Sequence, residues 1–153
     1  MNYVGFSRTE TLLSRLLRWI TNAEVSHAFL VIEQYGKLWY LGAEAQGIVM
    51  LPMSRYEKKN TVFIYPVIGL TDTHISTIME SYLGEAYDYG GLFGAIFPQV
   101  GRWFKRKWKN PFANPKATIC SEFVTLALQE ADIQGAWKLD PPATTPQDLK
   151  NLF

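Results

Sequence analysis

The stretch "EVSHAFLVIEQYGKLWYLGAEAQGIVM", Glu24 to Met50, decides the fold. Two runs rich in aromatic and β-branched residues, roughly 26–34 and 37–45, read as strands. Only "QYG" separates them, which predicts a hairpin. If Tyr35-Gly36 is a two-residue loop, Gln34 faces Lys37. Counting back along both strands, His27 then faces Glu44 on one side of the sheet, with Cβ atoms about 5 Å apart. If all of "QYG" is loop, His27 faces Ala43 and Glu44 points to the other side. Tyr-Gly is not the favoured Asn-Gly turn, so both registers stand open at this level.

Each candidate residue has an ordinary reading. A histidine at a strand start is usually half-buried with one hydrogen bond, and an acid opposite it is often a surface pair worth about 0–1 kcal/mol. The chain's only cysteine, Cys120, lies far downstream in "TICSEFVTLALQEA". Free cysteine is usually an inert core residue. Its position suggests more. With Thr118 or Ile119 as N-cap, Cys120 falls in the first turn of a helix, where free N–H groups and the helix dipole favour a thiolate. The same N–H groups suit an oxyanion. Nucleophile, base and a third group that orients the base are what a thiol hydrolase needs.

Working outward, Ser7 and Glu10 make a capping-box pattern, and Leu12, Leu13, Leu16, Leu17 and Ile20 follow at helical spacing. Residues 8–21 therefore read as an amphipathic helix. "GIVMLPM" and "NTVFIYPVI" read as further strands with Pro52 and Pro66 near their ends. "DTHISTIMESYLG" reads as a helix with Asp72 near its N-cap and Gly84 as its stop. His74, on that helix, has no evident partner. "ICSEFVTLALQEADIQG" is the clearest late helix, with Phe123, Leu126, Ala127 and Glu130 marking its turns. "TPQDLKNLF" closes the chain, with Thr145 as N-cap and Pro146 at the first helical position. Helices and strands are segregated, so the class is α+β around a small antiparallel sheet.

Length suits a single domain over residues 1–153, with one sizeable core. A composition 48% hydrophobic and 19% charged reads as ordered. The net charge of +1 gives no overall pull toward nucleic acid, and no nucleic-acid partner is expected. One cysteine makes no internal disulfide, and two histidines without clustered ligands predict no metal and no cofactor. "MNYVGFSRTETLL" lacks a signal-peptide pattern, and no apolar run reaches the ~18 residues of a membrane span, so a cytoplasmic location is expected. Phage origin, or export without a leader, is compatible with this.

Beyond these patterns the sequence resembles a known family. "SHAFLVIE" followed by "LGAEAQGIV" resembles the histidine and acidic strands of the YaeF/YiiX-like permuted papain enzymes, relatives of the NlpC-type cell-wall peptidases. "GEAYDYGG" resembles their glycine-tyrosine-aspartate segment, "CSEFVTLAL" their nucleophile helix, and "ATTPQDL" their C-terminal stretch. "GFSRTETLLSRLLRWIT" looks like their N-terminal helix. The order histidine, acid, cysteine is the permuted one, also found in lecithin:retinol acyltransferase-like enzymes. The resemblance implies a circularly permuted papain-like fold, with Cys120 as nucleophile, His27 as base and Glu44 orienting the imidazole. It also places Tyr87 at a substrate-binding or oxyanion position, with Asp88 and Tyr89 equally available. It implies acyl transfer on a peptide, isopeptide or lipid acyl substrate. The alternatives are a lipid acyltransferase or lipase-like enzyme, and a non-catalytic binding module that kept the fold.

One stretch stands apart. "GRWFKRKWK" carries Arg102, Lys105, Arg106, Lys107 and Lys109 interleaved with Trp103, Phe104 and Trp108. Such a segment suits an anionic membrane surface, with "GGLFGAIF" beside it as a lid or lipid contact. Stacking on single-stranded nucleic acid, or aromatics folded back on the core, fit the same residues.

Overall fold

The computed structural model describes residues 1–8, 23–44, 47–82, 86–87, 117–118 and 120–153, together with Arg15, Arg18 and Trp19. Five antiparallel strands form the main sheet: β1 (Asn2–Arg8), β2 (His27–Gln34), β3 (Lys37–Glu44), β4 (Gly47–Pro52) and β5 (Thr61–Pro66). Their order is β4-β3-β2-β1-β5. A short parallel pair, β6 (Ala86–Tyr87) with β7 (Ala117–Thr118), stands beside it as a second sheet. The helices are α1 (Met53–Glu57), α2 (Asp72–Tyr82), α3 (Cys120–Glu130) and α4 (Pro146–Lys150).

The central hairpin turns on two residues. Gln34 pairs with Lys37 and Leu30 with Leu41, which selects the two-residue register. Tyr35 and Gly36 both take positive φ, 52° and 70°, the conformation of a tight turn whose twist matches the strands. Gly36 adopts it freely, and Tyr35 does so fully exposed.

This register sorts the side chains into two layers. Val4, Phe6, Ala28, Leu30, Ile32, Leu41, Ala43 and Ile48 face one way and form the main core with Phe123, Val124, Ala127 and Leu128 of α3. Phe29, Val31 and Tyr40 face the other way and are covered by Met53 and Tyr56 of α1. Burying side chains of this size is worth roughly 1.5–3 kcal/mol each. Two glycines make the second layer possible. A Cβ on Gly5 would stand 2.2 Å from the Phe29 ring, and one on Gly42 would stand 2.7 Å from the Tyr40 hydroxyl. Both rings lie where those side chains are missing.

Several sequence expectations change. Asn2–Arg8 is a strand, so Ser7 is no helix cap. Ser7 is buried in β1, and its hydroxyl shares a 2.8 Å hydrogen bond with that of Tyr56. Arg15, Arg18 and Trp19 are helical, while most of the expected 8–21 helix lies outside the described residues. As expected, Asp72 lies beside the N-cap of α2, which is Thr71. Its hydroxyl accepts from the His74 N–H, and its own N–H donates to His74 Nδ1, so His74 has a partner after all. Gly84 and the 102–109 basic stretch lie outside the described residues. In α3 the buried stripe runs through Cys120, Phe123, Val124, Ala127 and Leu128, while Leu126 is half-buried and Glu130 exposed.

The C-terminus matches its expectation. Thr145 and Asp148 form a capping box at the start of α4, with Pro146 in the first turn. From α4, Lys150 pairs with Glu24, and the Gln147 side chain accepts the Glu24 N–H at 2.8 Å. That fastens the segment leading into β2, three residues before His27. No helix among the described residues is long and apolar enough to cross a membrane.

Candidate functional site

His27 is the first residue of β2, and Cys120 is the first residue of α3. His27 belongs to the layer of Phe29, on whose ring it stacks at 5.8 Å between centroids. Cys120 belongs to the main core on the opposite side, 4% exposed. The two meet at the start of β2, where the sheet ends and a side chain from one layer can reach the other. There the thiol and the imidazole come close enough for each to act on the other's charge.

The electrostatics follow from that contact. Burial works to push the Cys120 thiol up. The His27 charge and hydrogen bond outweigh it, helped by the backbone N–H groups of Ala28 and Ser121, and hold the thiol below its ordinary value. Burial likewise works to lower the His27 pKa. The facing Cys120 and the nearby Glu44 carboxylate outweigh it and hold the ring above its ordinary value. Both shifts favour a thiolate–imidazolium pair. The Ser121 N–H belongs to the first turn of α3, so the helix start contributes as its position in the sequence suggests.

Glu44 ends β3 on the same side of the sheet as His27, in keeping with the two-residue turn. The pair is not in direct hydrogen-bond contact, since His27 Nε2 and Glu44 Oε1 are 3.9 Å apart. The Tyr40 hydroxyl stands between them, 2.8 Å from His27 Nε2, and donates to Glu44 Oε1 at 2.6 Å. Sequence reasoning missed Tyr40, because an aromatic residue in a strand ordinarily reads as core. The available signal was spacing: Tyr40, Gly42 and Glu44 alternate onto one side, with the middle position empty of side chain.

Tyr40 is fully buried. Its ring packs against Phe29 at 4.8 Å and stacks on Tyr56 at 4.4 Å and 22°. Burial and the Glu44 carboxylate push its phenol well above the ordinary tyrosine range, so the hydroxyl stays protonated. Tyr56 is shifted the same way, chiefly by burial. His27 keeps 15% of its side chain exposed and Glu44 32%, so the site opens to solvent along this edge.

The structure therefore brings Cys120, His27 and Glu44 together, and adds Tyr40. Tyr87 stands in β6, paired with Thr118 of the strand just before Cys120, whereas Asp88 and Tyr89 lie outside the described residues. Among the described residues, no group of three or more His, Cys, Asp or Glu side chains is arranged to hold a metal ion.

No family model and no curated protein matches the sequence. Among solved structures the chain is similar to the metalloprotein YiiX from Escherichia coli O157:H7, with a TM-score of 0.60 and 17% sequence identity. The match covers 85% of this chain and 64% of YiiX, so the chain spans less than two thirds of that protein's length. The α+β fold is the permuted papain-like one that the sequence resemblance implies. YiiX is described as a metalloprotein; in this chain the thiol of Cys120 and the imidazole of His27 face each other, and the Glu44 carboxylate accepts from Tyr40.

Proposed function

We propose that the protein is a cysteine hydrolase, an amidase or peptidase that works through a thioester acyl-enzyme. What supports this reading is the juxtaposition of Cys120 with His27, and of His27 with Glu44, in an arrangement where each group favours the charged form of its neighbour. A buried, inert cysteine would carry the opposite shift, because desolvation alone disfavours the thiolate.

In this mechanism His27 takes the Cys120 proton and the thiolate attacks a substrate carbonyl. The N–H groups beside the sulfur stabilise the oxyanion. His27 then gives its proton to the leaving amine, and the thioester forms as the C–N bond breaks. Next, His27 takes a proton from water, which attacks the thioester carbonyl, and the acid product leaves as Cys120 regains its proton from the imidazole. Glu44 favours the charged imidazole. The substrate class is a peptide or isopeptide amide.

The test joins reactivity to turnover. Cys120 in the wild-type chain is expected to react rapidly with iodoacetamide near pH 6, and His27→Ala to slow that reaction by an order of magnitude or more. A panel of peptide, isopeptide and lipid-ester substrates then identifies the acyl group. Cys120→Ser and His27→Ala are each expected to abolish hydrolysis with the fold retained by circular dichroism. Full activity in Cys120→Ser would contradict the mechanism.

A further inference from the structure

We propose that Tyr40 is the positioning residue of the His27 imidazole, bridging the ring to Glu44 so that the acid acts on the base through a phenol rather than by contact. This rests on the hydrolase reading and adds a member to its site. The geometry carries it: 2.8 Å from His27 Nε2 to the Tyr40 hydroxyl, 2.6 Å from that hydroxyl to Glu44 Oε1, and 3.9 Å between the outer two groups.

Hydrogen-bond direction settles the tautomer. A carboxylate only accepts, so the Tyr40 proton points to Glu44. The phenol oxygen then has only lone pairs left for the ring, and His27 Nε2 must be the nitrogen that carries hydrogen. The other nitrogen, Nδ1, is left unprotonated in the neutral ring and free to take the Cys120 proton. When it does, Nε2–H stays on the ring and the phenol proton stays on Tyr40. The bridge orients and polarises without transferring a proton.

The bridge is also the best-held part of the site. Glu44 sits on a partly exposed side chain, whereas Tyr40 is clamped between Phe29 and Tyr56, and Tyr56 is itself tied to Ser7. Gly42 leaves the space in which the ring lies along its own strand to reach a residue four positions on. Among the described residues, the titratable groups set around the imidazole are Cys120 from α3, Tyr40 and Glu44 from β3, and Tyr56 from α1, with Ser7 of β1 alongside.

The test uses the full chain carrying Cys120→Ala, so that the thiol does not enter. Nitrogen-15 resonances of His27 report its titration midpoint and tautomer, and His74 serves as internal reference. Tyr40→Phe is expected to lower the midpoint by about one pH unit, a tenfold loss of imidazolium above it, and to mix the tautomers. Glu44→Gln is expected to lower the midpoint by a similar amount while keeping the tautomer, because the glutamine carbonyl still accepts from the phenol. The double variant is expected to fall no further than the larger single effect. An unchanged midpoint and tautomer in Tyr40→Phe, or a double effect equal to the sum of the singles, overturns the bridge. If Tyr40→Phe does not fold, Glu44→Leu decides: with its acceptor gone the phenol turns its proton to Nε2 and the ring hydrogen moves to Nδ1, whereas a tautomer unchanged in Glu44→Leu overturns the bridge. Slow alkylation of the wild-type thiol would sink the hydrolase reading instead, and leaves this titration unaffected.

Discussion

Gly42→Ala is a sharp probe of the packing that supports the site. Alanine in place of a strand glycine ordinarily stabilises by roughly 0.5–1 kcal/mol, because the unfolded chain has less freedom to lose. Gly42 needs no positive φ, so backbone strain does not oppose the change. Packing does. The new methyl would stand 2.7 Å from the Tyr40 hydroxyl, and 2.9 Å from both Phe29 Cβ and Tyr40 Cζ. Reaching ordinary contact requires the ring to retreat by roughly 0.7 Å. Its neighbours are Phe29 and Tyr56, both packed against it. Overpacking of this kind costs about 1–3 kcal/mol, so the net expectation is a loss of about 1 kcal/mol where a glycine-to-alanine change would usually gain. A retreat of that size also stretches the 2.6 Å bond to Glu44 or the 2.8 Å bond to His27 beyond good geometry. Urea unfolding at constant slope measures the first effect, and the pH profile of Cys120 alkylation the second. A Gly42→Ala chain as stable as the parent, with the same profile, would refute the claim that Tyr40 fills this space and holds the ring.

Two other expectations concern the scaffold. Tyr35→Asn should stabilise the chain by roughly 0.5–1 kcal/mol in the same urea experiment, because asparagine tolerates the left-handed backbone that the exposed Tyr35 is held in, and the loop becomes Asn-Gly. Thr145→Ala should cost about 1 kcal/mol by removing the cap of α4, with the thiol's reactivity kept provided that α4 still holds the segment before His27.

The hairpin and most of the sheet were legible because they depend on local rules. Turn length fixes register, and register puts His27 and Glu44 on one side of the sheet. The choice between two registers was not legible, since it depended on an exposed tyrosine accepting positive φ. The first strand was misread because Ser7-x-x-Glu10 mimics a capping box. Val4 and Phe6 do alternate with Tyr3, Gly5 and Ser7, but Gly5 leaves a gap in the pattern that only the overlying Phe29 ring explains. The late helix was legible and its inward face only partly so, because Leu126 lies at the stripe's margin. At the site, residue types and order pointed to Cys120 and His27, while their contact depends on two layers meeting at the end of a sheet. Tyr40 was hidden for a similar reason: its hydroxyl reaches Glu44 only because the residue between them has no side chain.

The central claim is that Cys120 is held as a thiolate by His27, and direct titration of the thiolate by its ultraviolet absorbance tests it most directly, with Cys120→Ser as the blank. The wild-type inflection is expected well below the ~8.5 of a free thiol. In His27→Ala it is expected to rise above that value, because burial then acts on the sulfur without the imidazole to oppose it. A wild-type inflection at or above the free-thiol value, unchanged by His27→Ala, would contradict the account.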